Sequence, residues 1–235
     1  MGAPEGLCVI SREQTAGRGR RERAWSSPLD AGLYFSIVLR PKMEQRLWPL
    51  LTLMASLSVH DALLEACSLK TDIKWPNDVY AGERKLCGIL AETAESYAGR
   101  AIIIGIGINL NDEAFPEELK ALATSVEAES GGAVDRERLI ESLVASLLKK
   151  YEALQEPGGA RLMLCEWSER SSYAINKPVR AELSDEIIEG VTRGLEPDGA
   201  LRVETVAGDI KLVRAGDVWA LRADLKRAWD EKPKA

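Results

Sequence analysis

The sequence predicts an α+β fold: a mixed β-sheet with helices packed on it, followed by a small β-barrel. Three observations lead there. Apolar residues recur at helical spacing in two long segments, short β-rich runs bounded by turn residues surround the first of them, and beyond about residue 173 only strand-like runs remain. A 235-residue chain with 46% hydrophobic and 29% charged residues can bury a sizeable core, while only 10 Pro and 19 Gly exclude collagen-like and disordered readings. The expected division is a larger domain over residues 1–172, a small one over 173–222 and a charged tail over 223–235.

Residues 33–39 form a β-rich run ended by Arg40-Pro41, which predicts a buried strand. Leu47, Leu50, Leu51, Met54, Leu57, Val59, Ala62 and Leu63 predict a helix over 47–64 with one buried face. Extended pieces follow at 72–75, 79–80, 85–92 and 101–108, separated by Pro76-Asn77-Asp78, Gly82 and Gly99. The stretch 111–134 reads as acidic and irregular. Asp135 is the expected N-cap of a second helix, whose stripe runs from Leu139 through Leu143, Leu147 and Tyr151 to Leu154 and stops at Pro157-Gly158-Gly159. A short helix is expected over 162–167, and β-type runs at 179–183, 187–195, 201–206, 210–213 and 218–221 suggest a small closed barrel.

Several classes of function are excluded by what is scarce. The one histidine, His60, leaves no site with two His ligands, and its place inside the predicted helix favours a packing or surface role. Cys8, Cys67, Cys87 and Cys165 contain no C-x-x-C pair, which argues against zinc or a disulfide framework and fits a reduced, cytoplasmic setting. No stretch is expected to reach the ~20 apolar residues of a membrane span, and the start lacks a leader pattern. Gly6 stands where N-myristoylation wants Ser or Thr. The net charge of −6 argues against a nucleic-acid coat, yet residues 12–23 hold five Arg against two Glu, a local +3 that leaves −9 elsewhere.

Three segments carry chemistry. In Gln14-Thr15-Ala16-Gly17-Arg18-Gly19-Arg20-Arg21-Glu22-Arg23-Ala24-Trp25, glycines let backbone approach a ligand and guanidinium forks suit phosphate or carboxylate, with Trp25 as a stacking face. A solvated basic loop is the plainer alternative. Lys74-Trp75-Pro76-Asn77-Asp78 is followed by Lys85-Leu86-Cys87-Gly88-Ile89-Leu90, a turn and then a lysine that could set a cation between two anions. The third segment, Gly105-Ile106-Gly107-Ile108-Asn109-Leu110, lacks the later glycine and helix of a Rossmann fingerprint, and no Walker A motif exists.

Taken together, Gln-x-x-Gly-Arg-Gly-Arg-Arg-x-Arg-x-Trp, Leu-Tyr-Phe-Ser, Lys-Trp-Pro-Asn-Asp with Lys-x-x-Gly-Ile-Leu-x-Glu, and Gly-Ile-Asn-Leu resemble the biotin protein ligases, also called biotin–[acetyl-CoA carboxylase] ligases. The resemblance implies a class II aminoacyl-tRNA synthetase/biotin ligase-like sheet and a C-terminal SH3-like barrel beginning around Asn176-Lys177-Pro178-Val179. It implies that biotin is activated by ATP as biotinyl-5′-adenylate and passed to a lysine of a biotin carboxyl carrier protein, with Mg²⁺ accompanying the triphosphate and its ligands unknown. Carried over by position, Arg20, Lys85 and Asp78 would be catalytic, Asp78 orienting the acceptor amine. Gln14, Gly17, Arg18, Gly19, Arg20, Lys85 and Gly88 would hold biotin; Arg20, Arg23, Trp25, Asn77, Lys85, Asn109 and Arg222 would surround ATP. A homodimer is compatible with the family, whereas DNA and membrane partners are not expected.

Two departures stand out. The family's Ser-Thr-Asn segment, upstream of the glutamine matched by Gln14, is not in this sequence, so the chain is expected to begin inside the catalytic domain. Glu22 replaces the usual glycine of the basic loop, where a carboxylate would pair with a neighbouring Arg or weaken anion binding. The rival readings are a lipoyl ligase, a non-catalytic biotin- or adenylate-binding protein, and a nucleic-acid-binding regulator.

Overall fold

The computed structural model describes residues 2–97, 99–112, 115–183 and 185–220. Its first sheet has the order β1-β2-β6-β5-β4-β3. The strands are β1 (Cys8–Ser11), β2 (Gly32–Leu39), β3 (Asp72–Lys74), β4 (Asp78–Ala81), β5 (Arg84–Ser96) and β6 (Gly99–Asn109). Every ladder between these strands is antiparallel, and among the described residues parallel pairing is confined to the isolated bridge between Lys85 and Ala123.

Side chains alternate across a strand, so the register decides which residues meet the core. Ile89 pairs with Ile106, Cys87 with Ile108 and Thr93 with Ile102, while Gly88 pairs with Gly107 and Leu90 with Gly105. The isoleucines of β6 at 102, 104, 106 and 108 are buried in the main core. On the opposite face Gly88, Gly105 and Gly107 leave part of the sheet without side chains of its own.

On the core face lie α1 (Leu50–Cys67), α3 (Arg136–Gln155) and α4 (Gly159–Glu169). The single buried stripe expected of the first helix is replaced by burial on nearly all sides: Leu50, Leu51, Leu53, Met54, Ala55, Ser56, Leu57, Ser58 and Val59 are all buried. The helix lies between the sheet and both α3 and α4, so each of its large apolar side chains contributes about 2 kcal/mol of transfer free energy. This corrects a second expectation as well. The stretch Gln45–Cys67 is long and apolar enough to cross a membrane by length and composition, with an 18-residue window of mean hydropathy 1.4, but 61% of that window is buried inside the fold. Polar groups on its outer side join a charged cluster in which Lys150 Nζ lies 2.9 Å from Asp61 and also pairs with Glu166.

Two elements have no counterpart in the sequence reading: the edge strand β1, and the short α2 (Val126–Ser130) inside the segment read as irregular. Ser125 caps α2 by accepting the Ala128 N–H. As expected, Asp135 caps α3 through the Arg138 N–H.

The second sheet comprises β7 (Ile175–Glu182), β8 (Ile187–Leu195), β9 (Leu201–Thr205), β10 (Ile210–Val213) and β11 (Asp217–Ala220), in the order β10-β9-β8-β7-β11. Its ladders are antiparallel, and none joins β10 to β11 among the described residues. It meets the first unit where the Trp75 indole N–H donates to Gly199 O at 2.9 Å. The charged tail and Arg222 lie outside the described residues.

Candidate active site

The turn between β3 and β4 is locked onto β5 by both polar ends of Asn77. Its side-chain amide N–H donates to Ile89 O at 2.8 Å, and its backbone carbonyl accepts the Ile89 N–H at 2.9 Å. Asp78 then pairs with Gly88 and Tyr80 with Lys85, which puts Asp78 and Lys85 on the glycine-lined face. Lys85 Nζ stands 2.6 Å from Asp78 Oδ1. That contact is an ion pair at a largely buried carboxylate.

The basic loop folds as a narrow hairpin in which the Trp25 N–H donates to Gly17 O at 2.9 Å and the Gly19 N–H to Arg23 O at 2.7 Å. A Cβ at Gly17 would come within 2.3 Å of Trp25 O, so only glycine fits. Gln14 is held beside it by Ser27, whose hydroxyl donates to Gln14 Oε1 at 2.8 Å. From the loop's tip Arg20 donates to Asn77 Oδ1 and to Gly216 O, each at 3.2 Å. Burial lowers the pKa of this guanidinium, opposed by the charges of Asp217 and Asp78.

The other arginines turn elsewhere. Arg21 and Arg23 both pair with Asp217 of β11, and Arg18 pairs with Glu92 at 2.8 Å. The expected pairing of Glu22 with a neighbouring arginine is absent among the described residues, because those guanidiniums are already engaged by Asp217, Glu92 and Asn77. Glu22 instead sits at φ 60°, beside Arg21 at φ 54°.

Trp25 lies flat on the cleared strip of sheet. A Cβ at Gly107 would meet its Nε1 at 2.5 Å, and one at Gly88 would meet its Cζ3 at 2.9 Å. The Lys85 ammonium stands 5.4 Å from the ring centroid, and the buried indole N–H has no partner among the described residues. Beyond Asp78, Lys74 is packed between the rings of Tyr80 and Trp219 and donates to Tyr80 Oη at 3.1 Å. Its pKa is lowered by burial, with Asp78 acting in the opposite sense.

Arg20 and Asn77 open onto a cleft of about 390 Å³ bounded by Trp75, Pro76, Ile89 and the turn at Asp198-Gly199-Ala200. A larger trough of about 610 Å³ along Gln45, Trp48, Thr93 and Arg100 is lined by none of the expected site residues.

The structure therefore brings Arg20, Asn77, Asp78, Lys85, Gly88 and Trp25 together. Arg18 and Arg23 point to carboxylates outside this group, and Asn109 is buried where it donates to Thr124 O at 3.0 Å. Sequence reasoning missed Gly107, Lys74 and Asp217. Gly105 and Gly107 alternate within a strand, and that spacing was a readable signal of one face kept bare. Cations around an apolar, glycine-floored strip can receive an anionic ligand and stabilise charge that develops on it.

A sheet covered by helices on one face and carrying Lys85, Asp78 and Trp25 over Gly88 and Gly107 on the other, with Arg20 beside them on Asn77 and a small second sheet joined on, fits a ligase of the biotin/lipoate class. Residues 2–109 match the model of the biotin/lipoate A/B protein ligase family, and residues 174–219 match the biotin protein ligase C-terminal domain. The biotin–[acetyl-CoA-carboxylase] ligase of Paracoccus denitrificans is 35% identical over 207 residues, covering 85% of each chain. The chain belongs to the biotin protein ligase family. The bifunctional ligase/repressor BirA of Bacillus spizizenii is 38% identical over 92% of this chain, which spans 66% of that relative's length. Among solved structures, the biotin protein ligase of Aquifex aeolicus in complex with biotin and ATP superposes with a TM-score of 0.83 at 30% identity, over 94% of this chain and 92% of that one.

Proposed function

We propose that this chain activates biotin with ATP and transfers it to a lysine of a biotin carboxyl carrier domain. The observation that carries this reading is the meeting of Lys85, Asp78 and Trp25 at the strip floored by Gly88 and Gly107, with Arg20 held next to Asp78 by Asn77. In the first step a biotin carboxylate oxygen attacks the α-phosphorus, an acyl–phosphate bond forms, and the bond to the leaving pyrophosphate breaks. Two anions must approach one another, so the Lys85 ammonium and the Arg20 guanidinium lower the barrier by electrostatic stabilisation of the phosphoryl oxygens.

In the second step the acceptor amine, in its neutral form, attacks the acyl carbon and AMP leaves as the amide forms. Asp78 orients that amine and receives its proton. Gln14, Gly17 and Gly19 frame the biotin end, and Trp25 and Asn77 the nucleotide. Arg18 at the biotin end, and Arg23, Asn109 and Arg222 at the nucleotide, are assigned on the resemblance alone.

Magnesium is expected with the triphosphate. Among the described residues no group of three or more His, Cys, Asp or Glu side chains is placed to hold an ion. A cytoplasmic setting is supported by the free state of all four cysteines. Pyrophosphate release on mixing the chain with ATP and biotin tests the proposal, followed by incorporation of biotin into a carrier domain. Equal release with lipoate would point to a lipoyl ligase, and no release with either acid would overturn the reading.

A further inference from the structure

The ladder between β5 and β6 begins at Cys87 and Ile108, so the first residues of β5 have no partner on that side. A strap that returns after β6 takes the vacant place. The Lys85 N–H donates to Leu122 O, and the Thr124 N–H donates to Lys85 O, both at 2.9 Å. Lys85 is therefore gripped through its backbone on both edges, by Tyr80 of β4 and by Ala123 of the strap. The strap in turn is fastened by Glu129 of α2. A single carboxylate oxygen, Glu129 Oε1, accepts from the Thr124 hydroxyl at 2.6 Å and from Arg84 at 2.7 Å. Arg84 is the residue before Lys85, so this one oxygen ties the strap to the strand that carries the lysine.

We propose that Glu129 is a positioning residue for Lys85. By clamping Thr124 against Arg84 it fixes the backbone of Lys85, and with it the place where the ammonium meets the two reacting anions. The proposal rests on the reading of Lys85 as the bridging cation. A misplacement of about 1 Å in such a group can cost on the order of 100-fold in rate, so a carboxylate that never touches substrate can control the step. Glu129 is not needed to hold α2 in place. Val126 is fully buried, and the Glu127 N–H donates to Leu110 O at 3.0 Å independently of the clamp.

The test uses the whole chain and three readouts on Glu129→Ala and Thr124→Val. Hydrogen exchange of the Lys85 amide in the ligand-free protein is expected to quicken by roughly tenfold or more. Pyrophosphate release should lose about tenfold in kcat, with KM for biotin and ATP moving by less than about twofold. Transfer from supplied biotinyl-5′-adenylate to a carrier domain should stay near the parent rate, and Glu129→Ala should cost nothing further when Lys85→Ala is already present. A merely structural role would slow both half-reactions together and spread faster exchange across the core. Unchanged exchange at Lys85, unchanged pyrophosphate release, or equal losses in the two half-reactions would each overturn the proposal. Should Glu129→Ala not fold, Thr124→Val keeps the side-chain shape, removes only the hydroxyl donor, and decides the matter in the same way. A parent chain without biotin-dependent pyrophosphate release would overturn the functional reading instead, while Lys85 amide exchange still decides whether the clamp holds the strap.

Discussion

Gly107 lies beneath the indole of Trp25 so closely that a Cβ there would come within 2.5 Å of Nε1. The strand pairing of Gly107 with Gly88 makes the same demand twice, since a Cβ at Gly88 would meet the other edge of the ring at 2.9 Å. The sheet is bare at this place because an aromatic ring rests on it.

Gly107→Ala is expected to displace Trp25, because a rigid ring cannot yield as a flexible side chain would. The cost should be about 1–3 kcal/mol, the usual range for overpacking. Urea unfolding gives the stability change, and the tryptophan emission should shift to the red as the indole meets water. A second change, Trp25→Ala, should restore most of the loss by removing the clashing partner.

Lys85→Ala and Asp78→Ala break one ion pair from opposite ends, yet their kinetic effects should differ. Loss of the lysine should abolish most adenylate formation, by roughly 100-fold or more, since a fixed cation is removed from the phosphoryl oxygens. Loss of the aspartate should depress transfer to the acceptor more than adenylate formation. Measuring pyrophosphate release separately from transfer of supplied adenylate distinguishes the two, and equal losses for Asp78→Ala would remove its assigned role.

Glu22 occupies a left-handed conformation at φ 60° without an ion pair among the described residues. Glycine adopts that region without the Cβ penalty of about 1 kcal/mol. Glu22→Gly should therefore raise the unfolding free energy by up to about 1 kcal/mol, read as a slightly higher denaturation midpoint. A lowered midpoint would show that the Glu22 carboxylate contributes something to the loop.

The junction between the two sheets offers a stability test remote from the chemistry. Gly199 has φ 84°, and a Cβ on it would reach within 2.9 Å of Leu50 Cδ2. Gly199→Ala should destabilise by about 1–3 kcal/mol through strain and crowding together. Trp75→Phe, which removes the donor to Gly199 O, should cost about 1 kcal/mol by thermal or urea unfolding.

His60 supplies a pH test. Burial lowers its pKa below the ordinary 6.5, with Asp61 opposing and Arg170 reinforcing the shift, and its ring lies 2.8 Å from Thr71 Oγ1. The unfolded chain then takes up the proton before the folded one. The stability due to neutral His60 is present above pH 6.5 and is lost as the pH falls from there through the lower folded value. Because it is the sole histidine, His60→Gln should flatten the decline in Tm between about pH 7.5 and about 5.5. An unchanged slope would show that other groups carry it.

The parts of this molecule legible in the sequence are those set by short-range chemistry. The stripe of α3, its Asp135 cap, the turn at Pro76-Asn77-Asp78 and the strand at 187–195 depend on neighbours within a few residues. Arg20, Asp78 and Lys85 were legible because each belongs to a local motif. The strand β1 was not, since its exposed four residues carry no alternation toward a core. Nor was the all-round burial of α1, which depends on where α3 and α4 return against it.

The sequence by itself determined the α+β division, the chemical character of the basic loop and the placing of a lysine after a Pro-Asn-Asp turn. Only the tertiary structure decided which arginines face the cleft. Arg20 reaches Asn77 while Arg21 and Arg23 are drawn to Asp217, far away in the chain. It alone turned Gly88 and Gly107 into one floor, and it alone joined Glu129 to the backbone of Lys85 through Thr124 and Arg84. The physical reason is range. Propensity and periodicity act over a few residues, whereas strand register and burial pair residues distant in sequence, and the candidate site is built from those pairings.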